Sequence, residues 1–212
     1  MGRPDKTNKH SIVTPTDAQI LSGIWANENP SNRGYNSTTG MYTSFPDPNG
    51  KDKLIGPGLK VGSTVEDRPY TRKELDAIAL RYGRNSLQTI GDEYNSVYGT
   101  PEFPTPWDTV SVAPKLLMQD VRTRTGKLSQ KKWPSLYNAV SRGDMIRALQ
   151  ESRTKFKRKG VEHPDNDRVR RSAETFFPGM FDVTYEKDSW DPVTITRKKQ
   201  QFGGKKSLET IR

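Results

Sequence analysis

Residues 25–61 restrict the possible folds of this chain more than any other stretch, because they separate two helical patterns with a run unsuited to a helix. The run reads WANENPSNRGYNSTTGMYTSFPDPNGKDKLIGPGLKV. Glycines and prolines interrupt it at short intervals, and aromatic and threonine residues stand between these interruptions. Such spacing favours short β-strands joined by turns. We therefore expect a small β-hairpin region directly after the first helix.

The first helix is predicted over about residues 16–28. Ile20, Ile24 and Glu28 recur at i, i+4 and i+8, which places the carboxylate on the apolar face. Desolvation disfavours the charged form of a carboxyl group, as a general acid working at neutral pH requires. The alternative is an ordinary solvated glutamate near a helix end, since Pro30 follows closely.

Asp47 is the candidate for a second carboxylate. Glycoside hydrolysis uses two carboxyl groups that flank the scissile bond, about 5 to 9 Å apart. A hairpin that folds back toward Glu28 would bring the two side chains together. The alternative is a structural role, because residues 46–50, PDPNG, form a favourable turn sequence in which aspartate bonds to the backbone.

The order of Glu28, Asp47 and the run Gly56-Pro57-Gly58 resembles the catalytic hairpin of phage-type lysozymes. In that family a glutamate closes the first helix, an aspartate follows in the β-turn region, and a Thr-Ile-Gly-x-Gly-His run ends the hairpin. The resemblance implies that Glu28 is the general acid and Asp47 the second carboxylate.

The resemblance also implies a set of substrate-binding residues in the hairpin, namely Tyr35, Tyr42, Gly56 and Gly58. Two positions depart from the family pattern. With the glycines aligned, the family threonine falls on Leu54 and its histidine on Leu59, and a one-residue shift places the threonine on Lys53 instead. None of these side chains replaces a hydroxyl that positions water, so we expect the chemistry to be impaired or lost.

The second half of the chain resembles the same family over about residues 116–177. A two-helix segment, a polar loop and a helix with paired arginines, a glutamate and an aromatic pair follow one another there. The members of that last helix are Arg170, Arg171, Glu174, Phe176 and Phe177. The whole resemblance spans about residues 16–178, and the shared order of its motifs carries it.

Further helix boundaries are predicted from capping signals. Thr71 and Glu74 form a capping box for a second helix that Gly83 is expected to end. Residues 99–114 hold four prolines and are expected to form a loop or extended segment. Later helices are predicted from the remaining signals: Ser111 to Gly126, Pro134 onward, Asp144 onward, and residues 165–177.

Composition limits the partners and the chemistry. The 212 residues carry a formal net charge of +10, which favours an anionic neighbour: cell-wall polymer, nucleic acid, anionic lipid or an acidic protein surface.

The absence of cysteine excludes disulfides and thiolate chemistry. With His10 and His163 as the only histidines, we expect no metal site and no cofactor. We also expect no membrane span and no classical secretion signal, which suits a phage particle or the host cytoplasm before release.

These patterns predict an α+β fold, mainly α: a lysozyme-like two-lobed domain with a small β-hairpin and extended arms. The expected divisions are a basic N-terminal arm at 1–14, the domain at 15–178 and a basic C-terminal arm at 179–212, and both arms are expected to bury little.

Two functions remain open. One is a peptidoglycan-directed, muramidase-type glycoside hydrolase of a virion, and the other is an inactive structural protein of a phage tail, connector or capsid, anchored to neighbouring virion proteins. The basic arms are also compatible with contact to nucleic acid.

Overall fold

The computed structural model describes residues 13–47, 50, 52–158 and 161–198. Within these residues the chain forms six α-helices and a single 3-10 turn, Trp107–Thr109. The helices are α1 Asp17–Glu28, α2 Arg72–Tyr98, α3 Val112–Thr125, α4 Pro134–Ser141, α5 Met145–Glu151 and α6 Asn166–Phe176. The expected α+β class with a predominance of helix is confirmed, whereas the lysozyme-like arrangement stays a prediction.

Short antiparallel strands complete the described fold. The first six are β1 Tyr35–Asn36, β2 Met41–Tyr42, β3 Phe45–Pro46, β4 Lys53–Ile55, β5 Leu59–Lys60 and β6 Tyr70–Thr71. The other six are β7 Gly99–Thr100, β8 Phe103–Pro104, β9 Lys155–Arg158, β10 Val161–Pro164, β11 Phe181–Thr184 and β12 Thr194–Arg197. They pair as two three-stranded sheets, β1-β2-β6 and β3-β4-β5, and three two-stranded hairpins. Residues 25–61 thus form the expected small strands.

Local capping signals set most helix boundaries where the sequence predicts them. Thr16 caps α1 in a reciprocal capping box with Gln19, and Thr71 caps α2 in the same way with Glu74. Gly126 follows α3 in a left-handed conformation, which glycine adopts without steric cost. Pro134 opens α4, and the side chains of Asp144 and Asp165 cap α5 and α6.

The predicted end of the second helix at Gly83 is wrong, because α2 continues for 27 residues to Tyr98. Gly83 is buried at a helix crossing. A Cβ atom at this position would lie 2.6 Å from Nε2 of Gln119 on α3 and 2.6 Å from Cγ2 of Ile20 on α1. The glycine therefore permits close packing of three helices and does not end one.

The buried apolar side chains form two hydrophobic cores. The smaller core joins the hairpin region to both helices and consists of Trp25, Tyr42, Ile55, Val65, Tyr70 and Leu75. The larger core is built mainly from α2 to α6 and also includes Ile20 of α1 and residues that follow α6. Since α1 and α2 contribute to both cores, they hold the hairpin region at a fixed position beside the helical part.

The expectation that the chain after residue 179 buries little is wrong for residues 181–197. Strands β11 and β12 form an antiparallel hairpin, and Phe181, Val193 and Ile195 are buried in the larger core. Residues 199–212 and residues 1–12 lie outside the described part of the chain. The division of the chain at residues 14 and 178 stays a prediction.

Within the described residues, no helix combines the length and apolar character needed to span a membrane.

Candidate functional site

Glu28 is the last residue of α1, and the residue after it fixes the helix end to the hairpin region. The Asn29 side chain donates from Nδ2 to the carbonyl oxygens of Arg33, at 3.0 Å, and Gly56, at 2.9 Å. Its Oδ1 accepts the Arg33 N–H at 2.8 Å. These three hydrogen bonds determine where the Glu28 carboxylate lies relative to the strands. The role of Asn29 was not predictable from the sequence, because its partners are set by the folded hairpin.

The Glu28 carboxylate is bound by Arg168, which α6 contributes from the far end of the chain. Arg168 donates to Oε1 of Glu28 at 2.5 Å and forms two hydrogen bonds to the Asp120 carboxylate, at 2.6 and 2.9 Å. Ser172 donates to the same Asp120 carboxylate. The arginine and Asp120 side chains are about 95% buried, and that of Glu28 is 15% exposed. Two carboxylates therefore share one guanidinium.

The charges of this triad are coupled. Burial lowers the pKa of Arg168, but the charges and hydrogen bonds of Asp120 and Glu28 outweigh this effect and raise it above its usual range. Burial raises the pKa of Asp120, and Arg168 opposes the change. The guanidinium thus stays charged and lies against the carboxyl groups of both Glu28 and Asp120.

Glu28 borders a cleft of about 430 Å³ between the hairpin region, α2 and α3. The hairpin side is lined by Pro57, Gly58, Leu59, Lys60 and Thr64. The helical side is lined by Ile24 with residues of α2 and α3: Ala79, Tyr82, Gly83, Asn85, Ser86, Thr89, Arg122, Thr123 and the adjoining Gly126. Among the described lining residues, Glu28 is the only carboxylate.

Gly58 places the hairpin beside the Glu28 carboxylate in a backbone conformation that favours glycine. Its φ of +80° lies in the left-handed region, and a Cβ atom there would lie 3.6 Å from both Cβ and Oε2 of Glu28. A side chain at this position would be strained and would narrow the cleft. The structure thus brings together two of the six residues that the resemblance assigned to the site.

The other assigned hairpin residues lie outside the lining of this cleft. Tyr42 is 2% exposed, packs on Trp25 and donates its hydroxyl to Asn32. Tyr35 is 44% exposed and packs on Tyr42 with ring centroids 5.0 Å apart. Gly56 faces the smaller core, where a Cβ atom would meet Leu75 at 2.5 Å. The contacts of these three residues stabilise the hairpin region and do not face the cleft.

Asp47 lies at the turn between β3 and β4, where its N–H donates to Asp52. It is not among the residues that line the cleft. Asp52, by its hydrogen bond and charge, raises the pKa of Lys60, and the charge of Asp47 contributes in the same direction. Both aspartates therefore lie near Lys60 at the cleft rim. The role of Asp47 as second carboxylate stays a prediction.

The two leucines that the resemblance aligns with the family threonine and histidine have different positions. Leu54 is partly buried in β4, paired with Phe45 and Lys60, and does not line the cleft. Leu59 lines the cleft directly. An alkyl group supplies none of the hydrogen bonds that orient a water molecule. The hairpin side of the cleft offers hydroxyl chemistry only at Thr64.

The residue that sequence reasoning missed in this cleft is Tyr82. Its spacing from Leu75, Ile78 and Ala79 in the sequence favours the apolar face of the second helix, but its side chain is 46% exposed and lines the cleft. Asn85, Ser86 and Thr89 follow along the same helix. An exposed aromatic ring beside amide and hydroxyl groups suits a sugar, which presents an apolar ring face and a rim of hydroxyls. This surface of α2 borders a cleft only because α3 and the hairpin region lie opposite it, and the sequence does not show that arrangement.

No group of three or more histidine, aspartate or glutamate side chains in the described residues has the geometry of a metal site. No family model, no curated protein and no solved structure matches the chain.

Proposed function

We propose that this chain is a lysozyme-like, peptidoglycan-directed protein of the muramidase type, associated with a phage particle and impaired in cleavage. The position of Glu28 carries the proposal. The carboxylate ends α1, lies against Gly58 of the hairpin and borders a cleft lined by an exposed tyrosine with hydroxyl and amide groups. The order of motifs in residues 25–61 gives independent support.

In the reaction that the resemblance implies, Glu28 protonates the leaving glycosidic oxygen and Asp47 assists attack at the anomeric carbon. Cleavage needs a protonated acid and an oriented water. The Glu28 carboxylate is held by Arg168 at 2.5 Å, and Leu59 offers an attacking water no polar partner on the cleft surface. Both features support slow or absent turnover with glycan binding retained.

The second candidate is a structural component of a phage tail, connector or capsid that has the same fold and no catalytic role. The observation favouring it is that Glu28 is the only carboxylate among the described residues of the cleft and is engaged by Arg168. In this case the protein contacts neighbouring virion proteins, and its net charge of +10 suits acidic partners or nucleic acid. Either candidate places the protein in the virion, or in the host cytoplasm before release.

Co-sedimentation with insoluble, purified peptidoglycan tests the proposed binding. We expect the wild-type protein to pellet with peptidoglycan and Tyr82→Ala to bind several-fold more weakly, because the ring that stacks on sugar is lost. Tyr35→Ala is the matched control, since Tyr35 is exposed to nearly the same extent but lies outside the cleft lining. Equal binding by the two variants, or no binding by the wild type, would contradict the assignment of the cleft.

A further inference from the structure

The charged side chains that line the cleft differ in whether they have an ion-pair partner. Glu28 is bound by Arg168 at 2.5 Å, and Lys60 is bound by Asp52 at 2.6 Å. Arg122 also lines the cleft, and within the part of the chain that the structure describes it forms no ion pair. Of the two cations that line the cleft, Lys60 is therefore in an ion pair and Arg122, among the described residues, is not.

Arg122 has a defined place in the cleft. It lies in the last turn of α3 and is partly buried, and the neighbouring Thr123 lines the cleft with it. Asn85, Ser86 and Thr89 present amide and hydroxyl groups from α2 into the same cleft. A ligand that fills this space thus meets neutral hydrogen-bonding groups together with a guanidinium that forms no ion pair within the described part of the chain.

The chemistry of the guanidinium specifies the ligand. Its planar fork binds a carboxylate through two parallel hydrogen bonds, which are stronger than hydrogen bonds between neutral groups. A neutral oligosaccharide would occupy the hydroxyl and amide groups and leave Arg122 partly desolvated without a partner, which is costly. A glycan that carries a carboxylate substituent avoids this cost.

We propose that Arg122 is the residue that selects acidic over neutral glycans, by binding a carboxylate of the sugar or of its attached peptide. This inference rests on the proposed function for the identity of the ligand as a glycan. To the proposed binding of a glycan, the inference adds a carboxylate as the recognised substituent and Arg122 as the side chain that binds it. Arg168, which is turned to Glu28 and Asp120, is occupied and is not available for the same task.

The test measures affinities by isothermal titration calorimetry for two soluble peptidoglycan fragments that differ only in their carboxyl groups. One is a disaccharide-peptide with free carboxylates, and the other is the same fragment with these groups amidated. We expect the wild-type protein to prefer the free acid by about tenfold or more, as a charge-assisted bidentate pair provides. Arg122→Gln should bind both fragments alike, and Arg122→Lys should keep part of the preference.

Arg124→Gln is the matched control, because Arg124 lies in the same helix turn, carries the same charge and does not line the cleft. It should retain the wild-type preference. Equal loss in Arg122→Gln and Arg124→Gln would overturn the inference by showing a diffuse charge effect. Equal wild-type affinity for both fragments would overturn the role of Arg122 and leave the proposed function standing.

Absence of binding to either fragment would overturn both the role of Arg122 and the proposed binding of peptidoglycan. Preference for an oligonucleotide over both fragments would overturn the assignment to a glycan. Circular dichroism of each variant shows whether a lost affinity reflects a lost fold.

Discussion

At the scale of single residues, Arg168 connects parts of the chain that lie far apart in sequence. Glu28 is 140 positions away and Asp120 is 48 positions away. Each of the three side chains is charged and largely buried, so each depends on the others for its solvation. Removing the guanidinium leaves two carboxylates close together without a cation.

We expect Arg168→Met to lower the free energy of unfolding by about 3–5 kcal/mol, the usual cost of breaking a buried ion pair from one side. Urea denaturation at neutral pH measures this change. Arg170→Met is the control on the same helix, because Arg170 is 43% exposed and its ion pairs with Asp167 and Glu174 are on the surface. It should cost no more than about 1 kcal/mol. A similar loss of unfolding free energy in both variants would show that the Arg168, Glu28 and Asp120 triad does not stabilise the fold more than surface ion pairs do.

At the scale of secondary-structure elements, α2 organises the molecule because its 27 residues contact both hydrophobic cores and one side of the cleft. Its glycine at position 83 lowers the helix propensity of the middle of the element. The close contacts with Gln119 and Ile20 explain why a larger residue is not accommodated.

Gly83→Ala should therefore destabilise the protein by about 1–3 kcal/mol, although alanine is the better helix former, because the added methyl group overpacks the crossing. Thermal unfolding followed by circular dichroism at 222 nm reports the change. Asn85→Ala, an exposed position on the same helix, should leave stability unchanged or slightly raised. A stabilised Gly83→Ala variant would mean that the three helices are further apart than the structure has them.

The boundaries of most elements were predictable because their signals are local. A capping box such as that of Thr71 with Glu74, and the proline that opens α4, act within one helix turn. Gly83 was misinterpreted because its neighbours come from other helices. Tyr82 and Arg168 acquire their roles in the same way, from partners that only tertiary structure brings near. The resemblance assigned Glu28 and Gly58 to one site, and the structure places them side by side, but the sequence did not predict the cation that binds Glu28.

At the scale of the whole molecule, the helical core continues past the last helix. Phe181, Val193 and Ile195 of the β11–β12 hairpin are each at most 7% exposed. The hairpin is also fixed by hydrogen bonds from Asn166 to the carbonyl oxygens of Glu186 and Ser189. Residues 181–197 are consequently part of the folded unit.

Truncation after residue 179 should lower the melting temperature markedly or prevent folding, because three buried apolar side chains are lost at roughly 1.5–3 kcal/mol each. Differential scanning calorimetry compares this variant with one truncated after Lys198, which keeps the whole hairpin. We expect the longer variant to melt close to the full-length protein, since residues 199–212 are mostly polar and charged. Equal melting temperatures for the two truncations would contradict the contribution of the hairpin to the core.

We propose that the cleft at Glu28 binds peptidoglycan but cleaves it poorly. The most direct measurement is the release of reducing ends from purified peptidoglycan, with bound protein determined in the same samples, for wild type and Glu28→Gln. We predict that both proteins bind and that wild-type release is slow or undetectable, with any release abolished in Glu28→Gln, because general acid catalysis contributes about 10²–10⁴-fold. Rapid wild-type turnover would contradict the impaired chemistry, and release that survives Glu28→Gln would remove Glu28 from the reaction. Failure of both proteins to bind would contradict the proposed function itself.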